Sequence, residues 1–251
     1  MAQQKGIIPL QGTIGNLTFF KSQDGYMARE KGGVSAKRIA TDPAYERTRE
    51  NGAEFSRAGK ASKLLRASLR GLLFNTADSR MIARLVKTMN KVIKADSTSA
   101  RGLRNVIDGE VTLLLNFEFN VNGQLNSSFY APYESTIDRV AGSLTARVPS
   151  FVPVNMVAAP NGATHLRIVS AGVEIDFEKE VYVVQTSASP MIPWSNDPTA
   201  EINLVNAVTP ASTKPLFLAL GIEFYQVING TQYALKSGAF NALSLVSVSG
   251  E

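Results

Sequence analysis

The chain has 251 residues, 44% of them hydrophobic and 19% charged, the balance of a globular protein of one large or two small domains rather than of a disordered chain. It contains no cysteine, which excludes disulfides, zinc–thiolate sites, iron–sulfur clusters and a cysteine nucleophile. The net charge of +5 conceals a division: residues 1–104 hold 20 Lys and Arg against 8 Asp and Glu, and residues 105–251 hold 6 against 13. Asymmetry of this kind points to a polyanionic partner or to association of opposite surfaces.

In chain order, "LTFFKSQDGYMARE" predicts a β-hairpin, because Asp24-Gly25 stands between two β-forming runs. Two strands alone are marginal in water, so Phe19, Phe20, Tyr26 and Met27 are expected to act as an arm that pairs with another copy. Residues 34–41, "VSAKRIAT", are expected to be a basic linker. Asp42-Pro43 then opens a helix, with Asp as cap and Pro at the first helical position. Phe55, Ala58, Ser62, Leu65, Leu69 and Leu72 recur at spacings of three and four, the stripe of a packed helix. A further helix is expected from about Ala77 to Ala95. Its apolar face is Ile82, Leu85, Val86, Met89 and Ile93. Its opposite face is Arg80, Arg84, Lys87, Lys91 and Lys94, with no carboxylate between Ser79 and Ala95. Five like charges on one stripe repel each other, which implies an anionic counterpart.

Beyond Gly109 the period changes from helical to alternating. Val111, Leu113, Leu115, Phe117, Phe119 and Val121 predict a half-buried strand. Hairpins are expected about Ala141-Gly142 and Asn229-Gly230. Further strands are expected in "THLRIVSAGVEIDFEKEVYVVQTS", "EINLVNAV" and "NALSLVSVS". The resulting fold class is α+β. A hairpin arm and linker (residues 1–41) and a basic helical region (42–104) precede an acidic antiparallel β-sandwich, Ig-like or jelly-roll-like (105–251). Leu65, Leu69, Ile82, Leu85, Met89, Leu113, Phe117, Phe119, Ile168, Leu218 and Phe224 are expected in the core.

Chemistry is sparse. His165 is the only histidine and no G-x-S-x-G elbow accompanies any serine, so a serine triad has no support and a multi-histidine zinc site is impossible. Glu174, Asp176 and Glu178 alternate with apolar residues, so a strand would align three carboxylates as an acidic docking face. Neither phosphate-binding glycine pattern is present. No cofactor and no enzymatic activity are expected. No apolar run reaches about 18 residues, so no membrane span is expected. The N-terminus lacks an apolar signal region, which implies a cytoplasmic protein, with a signal-independent route to the surface or exterior left open.

The segments "GTIGNLTFFKSQDGYMAREKGG", "RTRENGAEFSRAGKASKLLR" and "LFLALGIEFYQ" resemble those of a bacterial family of uncharacterised proteins, over most of the chain. The resemblance implies a bacterial origin and no activity. Two functions are then compatible with the residues. One is a structural protein that assembles into a filament, tube or similar polymer through its basic and acidic surfaces and its β-arm. The alternative is a nucleic-acid-binding protein that uses the basic helical region.

Overall fold

The computed structural model describes residues 1–6, 8–30, 32–236 and 238–250. The chain divides into two compact units, Met1–Arg49 and Glu50–Glu251, with the division inside a long helix.

The first unit holds four short antiparallel strands: β1 (Ala2–Gln3), β2 (Gly12–Ile14), β3 (Leu17–Ser22) and β4 (Gly25–Glu30), in the order β1-β4-β3-β2. The expected hairpin is β3–β4, with Ser22 opposite Gly25 and a positive φ at Gly25. It is not an isolated hairpin. Ala2 and Gln3 extend it along β4, and Gly12–Ile14 extend it along β3. The expected linker is partly helical: Ser35 caps α1 (Ala36–Thr41) by accepting from the Arg38 amide. Asp42 then accepts from the Ala44 amide and begins a 3-10 turn at Pro43–Tyr45, the Asp-Pro opening legible in the sequence. Among the described residues of Met1–Arg49, none is fully buried.

The second unit has two cores on either side of one sheet. The helix α2 (Glu46–Ser68) runs through Gly52 and Gly59 without a break, and is followed by α3 (Arg70–Thr76) and α4 (Met81–Lys94). Short helices α5 (Leu125–Ser128) and α6 (Pro153–Met156) lie among the strands. A three-stranded sheet is made of β5 (Glu134–Asp138), β6 (Ser143–Val148) and β10 (Ile202–Ala207), in the order β10-β6-β5. The six-stranded sheet is built on two long central strands, β7 (His165–Asp176) and β11 (Leu216–Ile228). One flank of β7 carries β8 (Val181–Ala188) and β9 (Ile192–Pro193), and one flank of β11 carries β12 (Thr231–Leu235) and β13 (Ala242–Ser249).

Burial on both faces explains the near-continuous apolar runs of β7 and β11. Ala171, Val173, Ile175, Phe217 and Ala219 face the helices, where they meet Ala58, Leu65, Leu85, Met89 and Val92. Leu166, Ile168, Leu218, Leu220 and Ile222 face the three-stranded sheet, where they meet Leu144, Ala146, Ile202 and Leu204. Helices and strands of this unit therefore share a core. Gly172 lets the two sheets approach: a Cβ there would lie 2.7 Å from the Cβ of Asn206. Asn206 is buried and donates to the Ser170 hydroxyl at 2.8 Å, so the close contact is also polar and satisfied on its amide nitrogen.

Three expectations change. Val111–Leu114 is a 3-10 turn, capped by the Glu110 carboxylate accepting from Thr112, not a strand. A spacing of three buries Val111 and Leu114 together, leaving Leu113 and Leu115 exposed. Asn116–Phe119 is an irregular segment, left-handed at Asn116 (φ 60°) and bridged to β13 at Glu118 opposite Ser244, with Asn116 N–H donating to Leu245 C=O (2.8 Å) and Phe119 N–H to Leu243 C=O (2.9 Å). In α4 the buried face is Met81, Leu85, Met89, Val92 and Ile93, so Ile82 is half exposed where a core position was expected. Phe55 on α2 is likewise exposed, while Ala58, Ser62, Leu65 and Leu69 are buried.

Candidate functional site

The basic face of α4 begins at Asp78. One carboxylate oxygen accepts from the Arg80 amide (2.7 Å), and the other accepts from the Val121 amide (3.0 Å) and pairs with the Arg84 guanidinium. Burial alone would raise the Asp78 pKa, but these donors hold it below the usual carboxylate value. Arg84 also donates to the Glu118 carbonyl at 2.7 Å and lies over the Phe117 ring, 5.3 Å from its centroid. It is a structural cation that ties α4 to the Asn116–Phe119 segment, not part of an open stripe. Lys87, Lys91 and Lys94 are exposed. Arg80 is exposed at the start of the helix and has partners of its own. The five-residue stripe of the sequence is thus three surface lysines beside two arginines with local partners.

The three alternating carboxylates do not form one open face. The strand ends at Asp176. Glu174 accepts from the Thr209 amide (3.0 Å) and the Ser212 hydroxyl (2.8 Å). Asp176 is buried, accepts from the Glu178 and Lys179 amides and pairs with Lys214 at 3.4 Å. The Lys179 amide is the main reason its pKa lies below the usual value. These two residues fasten loops, and Glu178 alone is exposed. A side chain whose lone pairs are spent within the fold cannot be distinguished by sequence spacing from one that faces water.

In the N-terminal sheet, the register places the four expected arm residues on two faces. Phe19 and Tyr26 lie on one with Ile14, Leu17 and Ala28; Phe20 and Met27 lie on the other. Ile14 and Leu17 are exposed, and Phe19, Phe20, Tyr26 and Met27 are half-buried. Two of the aromatics carry cations: Lys21 sits 5.5 Å from the Tyr26 centroid and Arg29 5.5 Å from that of Phe20.

His165 opens β7, paired through Nδ1 with the Thr164 hydroxyl at 2.9 Å. Among the described residues, no group of three or more His, Asp and Glu side chains is placed to hold a metal ion. Among the same residues, no helix is long and apolar enough to cross a membrane.

Sequence reasoning missed one exposed edge strand. Val181, Tyr182, Val183 and Val184 of β8 are all exposed, at 54, 40, 47 and 36%. The available signal was "VYVVQTSA", a β-branched run without charge, which the sequence marks as a strand without marking it as an exposed edge. No protein-family model matches the chain, and neither a curated protein nor a solved structure matches it.

Proposed function

We propose that the protein is a non-enzymatic structural protein that self-assembles into a filament, tube or similar polymer. The reading is supported above all by the N-terminal sheet. Its four strands present Ile14, Leu17, Phe19 and Tyr26 on one face, and no described residue of Met1–Arg49 is fully buried. Small sheets become stable when a face is covered. A second copy supplies that cover, so the sheet serves as an arm in a head-to-tail contact, and contacts of that kind build rings or open filaments. Lys87, Lys91 and Lys94 on one copy and Glu178 on the next add charge complementarity, which salt screens over about 8 Å at physiological ionic strength. In this reading Glu50–Glu251 is the body of the subunit, a sandwich of Ig-like or jelly-roll-like kind with helices on its outer face, and the family resemblance contributes a bacterial origin.

Deleting residues 1–33 tests the arm. The expected product is a folded monomer that melts close to the full chain and no longer scatters light as a polymer. A truncated protein that melts early, or that still polymerises, overturns the reading. The exposed Lys87, Lys91 and Lys94 favour one other function, binding to nucleic acid through phosphates. A clean full-length monomer that retards DNA, and loses this on reversal of the three lysines, would select it.

A further inference from the structure

The alternation of hydrogen bonds across the six-stranded sheet can be fixed from two contacts. Ser189 N–H donates to Ile168 C=O at 2.9 Å, in register with the β7–β8 ladder, where Val169 pairs with Ala188. Ile175 N–H donates to Pro215 C=O at 3.1 Å, in register with the β7–β11 ladder. Even-numbered residues of β7 therefore direct their amides to β8, and odd-numbered residues to β11. It follows that Val181, Val183, Gln185 and Ser187 of β8 bond to β7, while Tyr182, Val184, Thr186 and Ala188 point their N–H and C=O groups away from the sheet.

Over its second half this free edge has a neighbour. Ser187 Oγ donates to the Val205 carbonyl at 2.6 Å and Gln185 Oε1 accepts from Ala207, both on β10. Over Val181–Val184 no hydrogen bond reaches beyond β7 among the described residues. Edge strands are ordinarily protected by charge, proline, a bulge or short length. In this unit β5 carries Glu134 and Asp138, and β9 has two residues. The strand β8 has eight residues, no charge, no proline and an unbroken register.

We infer that β8 is a homotypic docking edge: it pairs antiparallel with β8 of a second copy about a twofold axis at Val183. The geometry selects both partner and register. A twofold axis perpendicular to a sheet keeps each side chain on its own face, so the two residue numbers in a directly opposed pair must sum to an even number. Pairing about Val183 joins the two outward-bonding residues, Tyr182 of each copy with Val184 of the other, which gives four backbone hydrogen bonds. It also sets an aromatic ring beside a β-branched side chain twice, a favourable cross-strand pair. Val183 meets Val183, and Val181 meets Gln185. Glu180 falls opposite Thr186 and Lys179 opposite Ser187, so no like charges meet. The three residues of β2 on another copy would satisfy fewer outward groups. This contact does not depend on the N-terminal arm. It adds a twofold interface to any head-to-tail one.

Because the chain has no cysteine, Val183→Cys in the full-length protein places a lone thiol at the axis. Directly opposed residues in a non-hydrogen-bonded antiparallel pair lie about 4.5 Å apart between Cα atoms, within disulfide reach. Under oxidised glutathione, Val183→Cys should form a covalent dimer at least about tenfold faster than Val140→Cys at the exposed Val140, since pairing raises the effective thiol concentration. In parallel, Val183→Lys should lose the dimer in sedimentation while keeping the wild-type melting temperature, because it sets two like charges face to face. Equal crosslinking rates for the two cysteine variants, or a Val183→Lys protein that melts as wild type and remains dimeric, would overturn the pairing.

Discussion

The protein contains two antiparallel sheets that solve the same problem differently. The six-stranded sheet is buried on both faces at its central strands β7 and β11, and β11 from Leu216 to Phe224 has no exposed residue. The N-terminal sheet has four short strands and no fully buried described residue. Backbone pairing is comparable in kind, so the difference lies in apolar area removed from water, at roughly 25 cal/mol per Å². A sheet is a stable body only when something covers it. The larger one is covered from within its own unit, and the smaller one has side chains fit for a cover.

Substitution of a large aromatic residue in each sheet should separate them most. Phe217→Ala, fully buried between β11 and the helices, should lower unfolding stability by about 3–5 kcal/mol in urea titrations. Phe19→Ala in the N-terminal sheet should leave the main unfolding transition within about 1 kcal/mol of wild type. It should weaken polymer formation instead, read by light scattering. Equal destabilisation by both substitutions would remove the contrast.

Glycine replacement should sharpen the same comparison by showing where packing is tight. Gly172→Ala should destabilise by about 1–3 kcal/mol, because the new methyl meets Asn206 between the two sheets. By contrast, Gly59→Ala in α2 places a methyl that meets nothing within 4 Å and should stabilise by about 0.5–1 kcal/mol. Thermal melts of the two variants should move in opposite directions.

The charged groups should have opposite consequences according to their partners. Reversal of Lys87, Lys91 and Lys94 to Glu should weaken association at low salt and leave the melting temperature nearly unchanged. Reversal of Arg84 should lower it, because Asp78 and the Glu118 carbonyl lose their donor. A calorimetric scan of each variant distinguishes a surface lysine from a structural arginine.

The smallest effect should appear only in acid. Asp96 is buried, which by itself raises its pKa, but the Ser99, Asn105 and Thr98 amides outweigh burial and hold it well below the usual carboxylate value of 3.8. In the window below 3.8 the unfolded chain binds the proton and the folded chain does not, so stability rises with pH there. The contribution is fully present above the unfolded value and is lost as pH falls through the folded one. Asp96→Asn should flatten this part of the acid-unfolding profile, which far-UV circular dichroism would show. An unchanged profile would remove Asp96 from the account.

Local chemistry was legible in the sequence wherever neighbours in the chain decide the outcome. Asp-Pro at the start of the helical region, the turns at Gly142 and Asn229-Gly230, and the strands that follow them lie where turn and cap residues put them. The stripe through Ala58, Ser62, Leu65 and Leu69 was legible for the same reason. Alternation misled at Val111–Leu115, because six apolar residues at every second position are also compatible with a tight turn that buries Val111 and Leu114. Tertiary structure alone decided which polar groups remain available. Arg84 and Asp176 look like surface charges in the sequence, yet Arg84 is held by Asp78 and by the Glu118 carbonyl, 6 and 34 residues away, and Asp176 by Lys214 from a distant loop. It also decided that β8, an uncharged and largely apolar strand, pairs only with β7 and leaves Val181–Val184 exposed. Burial and hydrogen-bond satisfaction depend on what arrives from elsewhere in the chain, whereas caps and turns close within a few residues, and that difference in range separates what the sequence determined from what only the fold could decide.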